Sequence, residues 1–327
     1  MASTLILFVV FSVSSTTRRQ SEVGKSERAQ SFENNMASLK TSNTLQKYKI
    51  EIVGSSTPRF DIELRRVIGN SHKELTNLIE VAKPLSVIIV NDSDKDIVGC
   101  SLRWEMITPQ GVTQVFPQIQ STPGELMGMK PLDPEMEGRT SLISAGDVKL
   151  FAFDTNVEQL FLNLKVNSVN KQNSTFSNSF QSEDVIQAIE NSKNSLFGMF
   201  SHISVSIDGI FFSDGTFVGP DSFFYFDSMR GRIAAHNELI SLFSASRSSN
   251  RISEKLTNYI AQSKVRSRKS NRAETPETAY QQGYEFRIRA LGEELSRRRT
   301  IHADQAIATD FLLNHDSKKV ILRKVKN

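Results

Sequence analysis

Residues 98–106, Val-Gly-Cys-Ser-Leu-Arg-Trp-Glu-Met, decide the fold because apolar side chains alternate along them with polar or small ones. The alternating apolar side chains are Val98, Cys100, Leu102, Trp104 and Met106. Successive side chains of a β-strand point to opposite faces of its sheet, so a period of two is typical of a half-buried strand. We therefore expect Trp104 to lie in the core and Cys100 to be buried and inert. The alternative role of Trp104, a platform that stacks on a sugar ring, requires an exposed ring.

Segments of the same kind flank this strand on both sides. Many are separated by polar turns of hairpin length, such as residues 91–96 and 109–111. The predicted strands are residues 48–53, 75–81, 85–91, 112–119, 148–153, 160–166 and 203–207. Parallel strands need long crossover connections, which are nearly absent here, so antiparallel pairing is favoured. We predict a chain that is mainly β with an α extension, in which residues 47–221 form an antiparallel immunoglobulin-like β-sandwich.

Beyond residue 221 the apolar period changes from two to about 3.6, which indicates a helical region over residues 222–316. Its predicted helices are residues 230–245, 252–266, a segment around 284–295, and 304–313; a shorter helix is predicted earlier, over residues 183–191. The segment around 284–295 has the clearest stripe, formed by Tyr284, Ile288, Leu291 and Leu295. Thr275 and Pro276 suit the N-cap and the first position of that helix.

Basic residues are concentrated in this helical region and in a basic tail, residues 317–327. From residue 251 onward 17 Lys and Arg face 9 Asp and Glu, whereas residues 1–250 carry 23 and 27. This asymmetry favours an anionic partner, although a solvated helix face with i,i+4 ion pairs is an alternative reading. The contacts we predict for such a partner are Arg266, Arg268, Lys269, Arg297, Arg298 and Arg299.

The N-terminus predicts a leader segment followed by a linker. An apolar run at residues 5–11 precedes small residues up to Ser15, as in a secretory signal. No basic residue precedes the run, and Arg18 and Arg19 follow it, which is the reverse of the usual charge order. We predict a signal segment at residues 1–15, a flexible linker at 16–46 and an exported protein, periplasmic or extracellular; a cytoplasmic protein is the alternative. No apolar stretch is long enough to predict a membrane-spanning helix.

Three aspartates recur at intervals of six or seven residues after the last predicted strand. Asp208 and Asp214 each precede a glycine, and Asp221 follows Gly219-Pro220. Asp-Gly is a strong turn signal, so the pattern predicts a compact β-hairpin. Alternatively, the carboxylates of Asp208, Asp214 and Asp221 converge on a hard cation such as calcium, which is bound by six to eight oxygens. We expect no cofactor, with calcium as the alternative.

The stretch from Asp208 to Asp221, the Asn-Asp-Ser-Asp-Lys-Asp-Ile-Val-Gly turn at residues 91–99 and the following tryptophan strand resemble segments of uncharacterised exported bacterial proteins that carry an immunoglobulin-like sandwich domain. The resemblance covers residues 80–225 and includes a central tryptophan on a core strand. It implies a sandwich fold and an extracytoplasmic location. It brings no catalytic residue with it.

Signatures of the common enzyme classes are missing from the sequence. There is no Gly-rich phosphate loop, Gly-x-Ser-x-Gly elbow or His-Glu-x-x-His helix, and the five histidines are scattered. We therefore predict a non-catalytic binding or structural protein that contacts a protein or an anionic envelope surface through its basic helical extension. One alternative is a carboxylate- or metal-dependent hydrolase that uses the three aspartates. The other, a cytoplasmic nucleic-acid-binding protein, is disfavoured because few aromatic residues accompany the basic ones.

Overall fold

The computed structural model describes residues 39–68, 83–122, 126, 141–153, 187, 190, 191, 194, 198–246, 251–265, 273–313 and 321–325. This part of the chain is 46% helical and 29% strand. The expected mainly β composition is therefore not confirmed, and the fold is a mixed one. The signal-like segment at residues 1–15 and the predicted strands at 75–81 and 160–166 lie outside the described residues.

Nine strands form two open sheets within the described part of the chain. Their bounds are β1 (Leu39–Ser42), β2 (Ile50–Gly54), β3 (Ser86–Asn91), β4 (Ile97–Ile107), β5 (Thr113–Ser121), β6 (Val148–Ala152), β7 (His202–Phe212), β8 (Thr216–Val218) and β9 (Arg323–Lys324). One sheet has the order β5-β4-β7-β8-β9, with β1 also paired to β7; the other has the order β2-β3-β6. The β1–β7 and β8–β9 pairs are parallel and the remaining pairs are antiparallel.

The two sheets share one apolar core. Trp104 is 1% exposed and packs edge-on against Phe153, with 5.4 Å between ring centroids. Its indole N–H donates to the Gln118 side-chain oxygen (2.8 Å), and the Gln118 amide donates in turn to the Ala152 carbonyl on the other sheet (2.9 Å). The ring is buried with its one donor satisfied, so the prediction of a core tryptophan is confirmed and the exposed stacking platform is excluded. Cys100 is also buried in this core.

Five helices have bounds that the structure gives: α1 (Pro58–Ile68), α2 (Tyr225–Ser246), α3 (Ile252–Val265), α4 (Pro276–Arg298) and α5 (Asp304–Leu313). Helices α2 to α5 bury a second apolar core, which includes Leu239, Phe243 and Leu291. Helix α4 begins as its sequence predicts, since Thr275 caps it with a reciprocal capping box and Pro276 takes the first position. Of the predicted helix at 183–191, Gln187, Glu190 and Asn191 are described and helical.

Helices α2 and α4 cross with their backbones in direct contact. A methyl group added at Gly231 on α2 would overlap the Tyr280 carbonyl oxygen and would lie 2.8 Å from the Tyr284 nitrogen. A methyl group added at Gly283 on α4 would likewise overlap the Ser228 carbonyl oxygen. Only glycine permits this approach, so the two glycines fix where side chains of one helix meet the other.

Two predicted segments differ from the structure, and one helix is additional to the prediction. The linker at residues 16–46 extends too far, because residues 39–42 form β1 and Leu39 is buried in the sheet core. Helix α1 was not predicted at all. The tail at residues 317–327 contains β9, which pairs with β8 and so holds part of the basic tail against the sheet.

Candidate functional site

Asp214 is held apart from the other two aspartates, which lie next to each other. Asp208 is 1% exposed, and its Oδ1 accepts from the Ser222 backbone N–H (2.9 Å). The Asp221 backbone N–H donates to the Asp208 carbonyl (2.8 Å), which places these two residues side by side. Asp214 lies instead at the hairpin turn, where Lys95 reaches its Oδ2 (2.7 Å) and the Thr216 N–H reaches its Oδ1 (2.9 Å).

Both carboxylate oxygens of Asp221 accept hydrogen bonds from other residues of the chain. Its Oδ1 accepts from the Phe226 N–H at the start of α2 (3.2 Å), and its Oδ2 accepts from the Lys324 ammonium (2.6 Å). Burial raises the pKa of the Asp221 carboxyl above its ordinary value, and the Lys324 hydrogen bond opposes this rise. Among the described residues no three His, Cys, Asp or Glu side chains are grouped so that they could hold a metal ion. The calcium and hydrolase alternatives thus lose the convergence of carboxylates on which they depended.

The predicted arginine run at residues 297–299 separates into one exposed and two internally paired side chains. Arg298 pairs with Glu294 (3.1 Å) and with Asp310 on α5 (2.7 Å). Arg299 binds both carboxylate oxygens of Asp304, each at 2.7 Å. Arg297 is exposed. Two of these three arginines therefore connect α4 to α5, which corrects the expectation that all three meet an external anion. Arg266, Arg268 and Lys269 lie outside the described residues.

A second group of arginines is found where α2 crosses α4, and its Arg232 has no carboxylate partner in the described part of the chain. The core-facing side chains of α2 follow one another at spacings of 4, 3, 4, 3 and 4 and are Tyr225, Met229, Arg232, His236, Leu239 and Phe243. All of these except the half-buried Arg232 are buried. A helix stripe of this spacing faces a neighbouring helix, so Arg232 is directed toward α4 rather than toward bulk water.

The Arg232 guanidinium lies over the ring of Phe286 on α4, with 4.7 Å from its central carbon to the ring centroid. Arg289 approaches the same ring at 5.9 Å. Arg287 is close enough to Arg232 for their charges to repel, and its Nη2 donates to His236 Nδ1 (3.2 Å). A guanidinium can only donate, so His236 accepts on Nδ1 in this hydrogen bond. We call Arg232 and Arg289, which share the Phe286 ring, together with Arg287 the arginine cluster.

The electrostatics of the cluster favour a bound anion. Burial lowers the pKa of the Arg232 guanidinium, and the nearby Tyr225 hydroxyl opposes this change; no carboxylate acts on it among the described residues. The Arg232 Nε–H has no hydrogen-bond acceptor among the residues that the structure describes. Burial likewise lowers the pKa of Arg287, and Glu294 opposes that change. A cation removed from water is costly unless it is paired, so Arg232, which has no carboxylate partner among the described residues, favours a bound anion.

The neighbouring Arg230, on the same helix, is an arginine whose charge is paired with a carboxylate. It is exposed, pairs with Asp227 (2.9 Å) and lies 5.8 Å from the Tyr280 ring. The contrast between Arg230 and Arg232, two residues apart, identifies the cluster as a specific feature rather than a general excess of arginine.

Sequence reasoning missed the arginine cluster, although a signal for it was present. Arg232 and His236 occupy core-spaced positions in an otherwise apolar stripe of α2, and Arg287 lies between Tyr284 and Leu291 on α4. A charged residue at such a position is rarely buried without a specific partner. The clusters of consecutive basic residues drew the prediction to residues 266–269 and 297–299 instead.

Comparisons with known proteins give no relative from which a role could be transferred: no protein-family model matches the chain, and neither a curated protein nor a solved structure is significantly similar to it. Within the described part of the chain, no helix combines the length and the apolar character needed to cross a bilayer.

Proposed function

We propose that this chain is a non-catalytic binding protein whose helical region captures an acidic segment of a partner protein through the arginine cluster. The two packed sheets are its scaffold, which we interpret as immunoglobulin-like. The observation that carries the proposal is Arg232, a half-buried cation at a core-spaced position with no carboxylate partner among the described residues. An exported location remains a prediction from residues 1–15.

The depth of Arg232 favours an acidic side chain over a membrane surface. A bilayer is met by long, exposed lysines and arginines that project from a protein. Arg232 is half-buried and stacked on Phe286, so a narrow group such as a Glu or Asp carboxylate must reach in to it. A carboxylate fits the two parallel N–H donors of a guanidinium, and the Phe286 ring keeps that fork in place.

The proposal is tested with a polyglutamate peptide, a polyglutamine peptide of equal length, and vesicles that contain anionic lipid. We expect the full chain to bind polyglutamate, measured by isothermal titration calorimetry, and to bind polyglutamine at least about tenfold more weakly. The double variant Arg232→Gln/Arg289→Gln should lose at least about tenfold in affinity for polyglutamate.

The matched control is Arg230→Gln, which removes one positive charge from the same helix but leaves the cluster intact. Its affinity for polyglutamate should stay within about twofold of the wild-type value. Equal losses in Arg230→Gln and in the double variant would show that only net charge matters and would contradict the proposal. Binding to anionic vesicles without binding to polyglutamate would contradict it as well.

A further inference from the structure

The C-terminal segment, residues 321–325, lies along the edge of β8 as a short parallel strand. The Arg323 N–H donates to the Gly215 carbonyl (3.0 Å), and the Val325 N–H donates to the Phe217 carbonyl (2.9 Å). These bonds use the backbone edge of β8 that faces away from β7, and they do not depend on the side chains of the segment. Any extended segment could make these backbone bonds, so selectivity for one segment must come from its side chains.

The Lys324 side chain enters a site that is built to hold a cation. Its ammonium nitrogen is 2.6 Å from Asp221 Oδ2 and lies 5.9 and 5.8 Å from the centroids of Phe217 and Phe226. The Asp221 side chain is fully buried, whereas that of Lys324 is 40% exposed, so the lysine approaches the carboxylate from the solvent side. We call Asp221, Phe217 and Phe226 the lysine socket.

Alternate residues of the segment make the contacts, as expected for a strand. Leu322 packs against the aromatic cluster around Phe217, and Lys324 fills the lysine socket. Ile321, Arg323 and Val325 are exposed. The site therefore contacts a leucine and a lysine two residues apart, whereas the side chain between them is exposed.

We propose that the β8 edge and the lysine socket are a binding site for an extended Leu-x-Lys segment of a partner protein, and that residues 321–325 occupy it as an intramolecular ligand. Charge complementarity argues for a lysine-bearing partner, because a buried carboxylate between two aromatic faces favours a compact cation. The segment forms only a two-residue strand and is mostly exposed, so it belongs to the part of a fold that opens most readily. The partner and the chain's own segment compete for one site.

The test uses a full-length chain in which Leu322→Ala and Lys324→Ala empty the site, together with a labelled peptide of residues 319–327. Binding is measured by fluorescence anisotropy. The matched control peptides carry Lys324→Ala or Arg323→Ala, and each loses one positive charge. We expect the Arg323→Ala peptide to bind within about twofold of the native peptide and the Lys324→Ala peptide to bind at least about tenfold more weakly.

The unaltered full-length chain provides the second comparison. Its own segment is present at an effective concentration on the order of millimolar, so it should bind the native peptide at least about tenfold more weakly than the emptied chain does. Equal affinities for the Lys324→Ala and Arg323→Ala peptides would overturn the proposal. So would the absence of peptide binding by an emptied chain whose melting temperature and circular dichroism match the wild type. The single variant Lys324→Ala replaces the emptied chain if the double substitution prevents folding.

Discussion

Replacing Arg232 by methionine is expected to stabilise the protein while it removes the proposed binding function. Methionine has a similar length and keeps the apolar stem packed against Phe286, but it carries no charge. Most substitutions at half-buried positions destabilise a protein. A gain in stability at this position therefore distinguishes a cation held for a ligand from one that the fold requires.

The expected magnitude follows from the contacts of Arg232. The variant loses a cation–π contact over Phe286, 4.7 Å from guanidinium carbon to centroid, which contributes about 0.5–2 kcal/mol. It gains because no charge has to be desolvated and because repulsion from Arg287 ends. Replacing a buried ion pair by apolar side chains of similar volume is often neutral or stabilising by about 1–4 kcal/mol, and Arg232 has no carboxylate partner to lose among the described residues. We expect a net gain in the free energy of unfolding of about 1 kcal/mol, or an increase of about 2 °C in melting temperature.

The assay is urea unfolding without added anion, followed by the fluorescence of Trp104, the only tryptophan of the chain. The control Arg230→Met alters an exposed arginine and should change the free energy of unfolding by less than about 0.5 kcal/mol. Added polyglutamate should stabilise the wild type and not Arg232→Met. A loss of more than about 1 kcal/mol in Arg232→Met would refute the reasoning, because the fold itself would then depend on the charge.

Three further substitutions test the fold around the cluster. Gly231→Ala should lower the free energy of unfolding by about 1–3 kcal/mol in thermal and urea denaturation, because its methyl group overlaps α4. The control is Gly198→Ala at an exposed helical position with open space around it, which should be neutral or stabilising by up to about 1 kcal/mol. Thr275→Ala should cost about 0.5–2 kcal/mol by removing the N-cap of α4, and Thr275→Ser should restore most of it in the same assay. The Arg299 hydrogen bonds lower the pKa of Asp304, so the ionised carboxylate stabilises the fold above about pH 4, and this stabilisation is lost as the pH falls through the folded-state pKa of Asp304. Asp304→Asn should therefore flatten the acid side of a profile of unfolding free energy against pH. An unchanged profile would show that the Arg299–Asp304 pair contributes nothing to stability.

Local patterns predicted single elements well because their signals lie within a few residues. The alternation at residues 98–106 places β4, and Asp214-Gly215 forms the turn of the β7–β8 hairpin. The signals for α1 were also local, with Pro58 at the first position and Phe60, Leu64 and Val67 spaced by four and three, but they were not used. The sequence of residues 58–68 therefore contains enough local information to predict α1.

Pairing between distant segments could not be predicted in the same way. Residues of β1 pair with β7, about 160 positions further along the chain, and no local pattern specifies that partner. The hairpin also explains why the aspartates separate: Asp214 lies at its turn, whereas Asp208 and Asp221 lie together at its open end. Equal spacing in sequence thus became unequal spacing in the structure once the strand folded back.

Runs of like charge misled the site prediction for a geometric reason. Consecutive residues on a helix point about 100° apart, so adjacent arginines cannot share one partner surface. Arg298 turns toward Asp310 and Arg299 toward Asp304, while Arg297 faces solvent. Arg232 and Arg289, which share the Phe286 ring, lie instead on different helices at the place where the helices cross.

The helix crossing and the arginine cluster are one feature of the fold. Gly231 immediately precedes Arg232, and the contact between the α2 and α4 backbones at Gly231 and Gly283 brings the Arg232 guanidinium over Phe286. Separating the helices by a methyl group would move the Arg232 guanidinium off the Phe286 ring and into water. A hydrated guanidinium gains less free energy from binding an anion than a desolvated one does. Gly231→Ala should therefore weaken polyglutamate binding more than Thr275→Ala does at an equal loss of stability, because the cap lies at the end of α4 and leaves the crossing unchanged. Equal affinities of these two variants for polyglutamate, measured at a temperature where both are folded, would show that binding does not depend on the helix crossing.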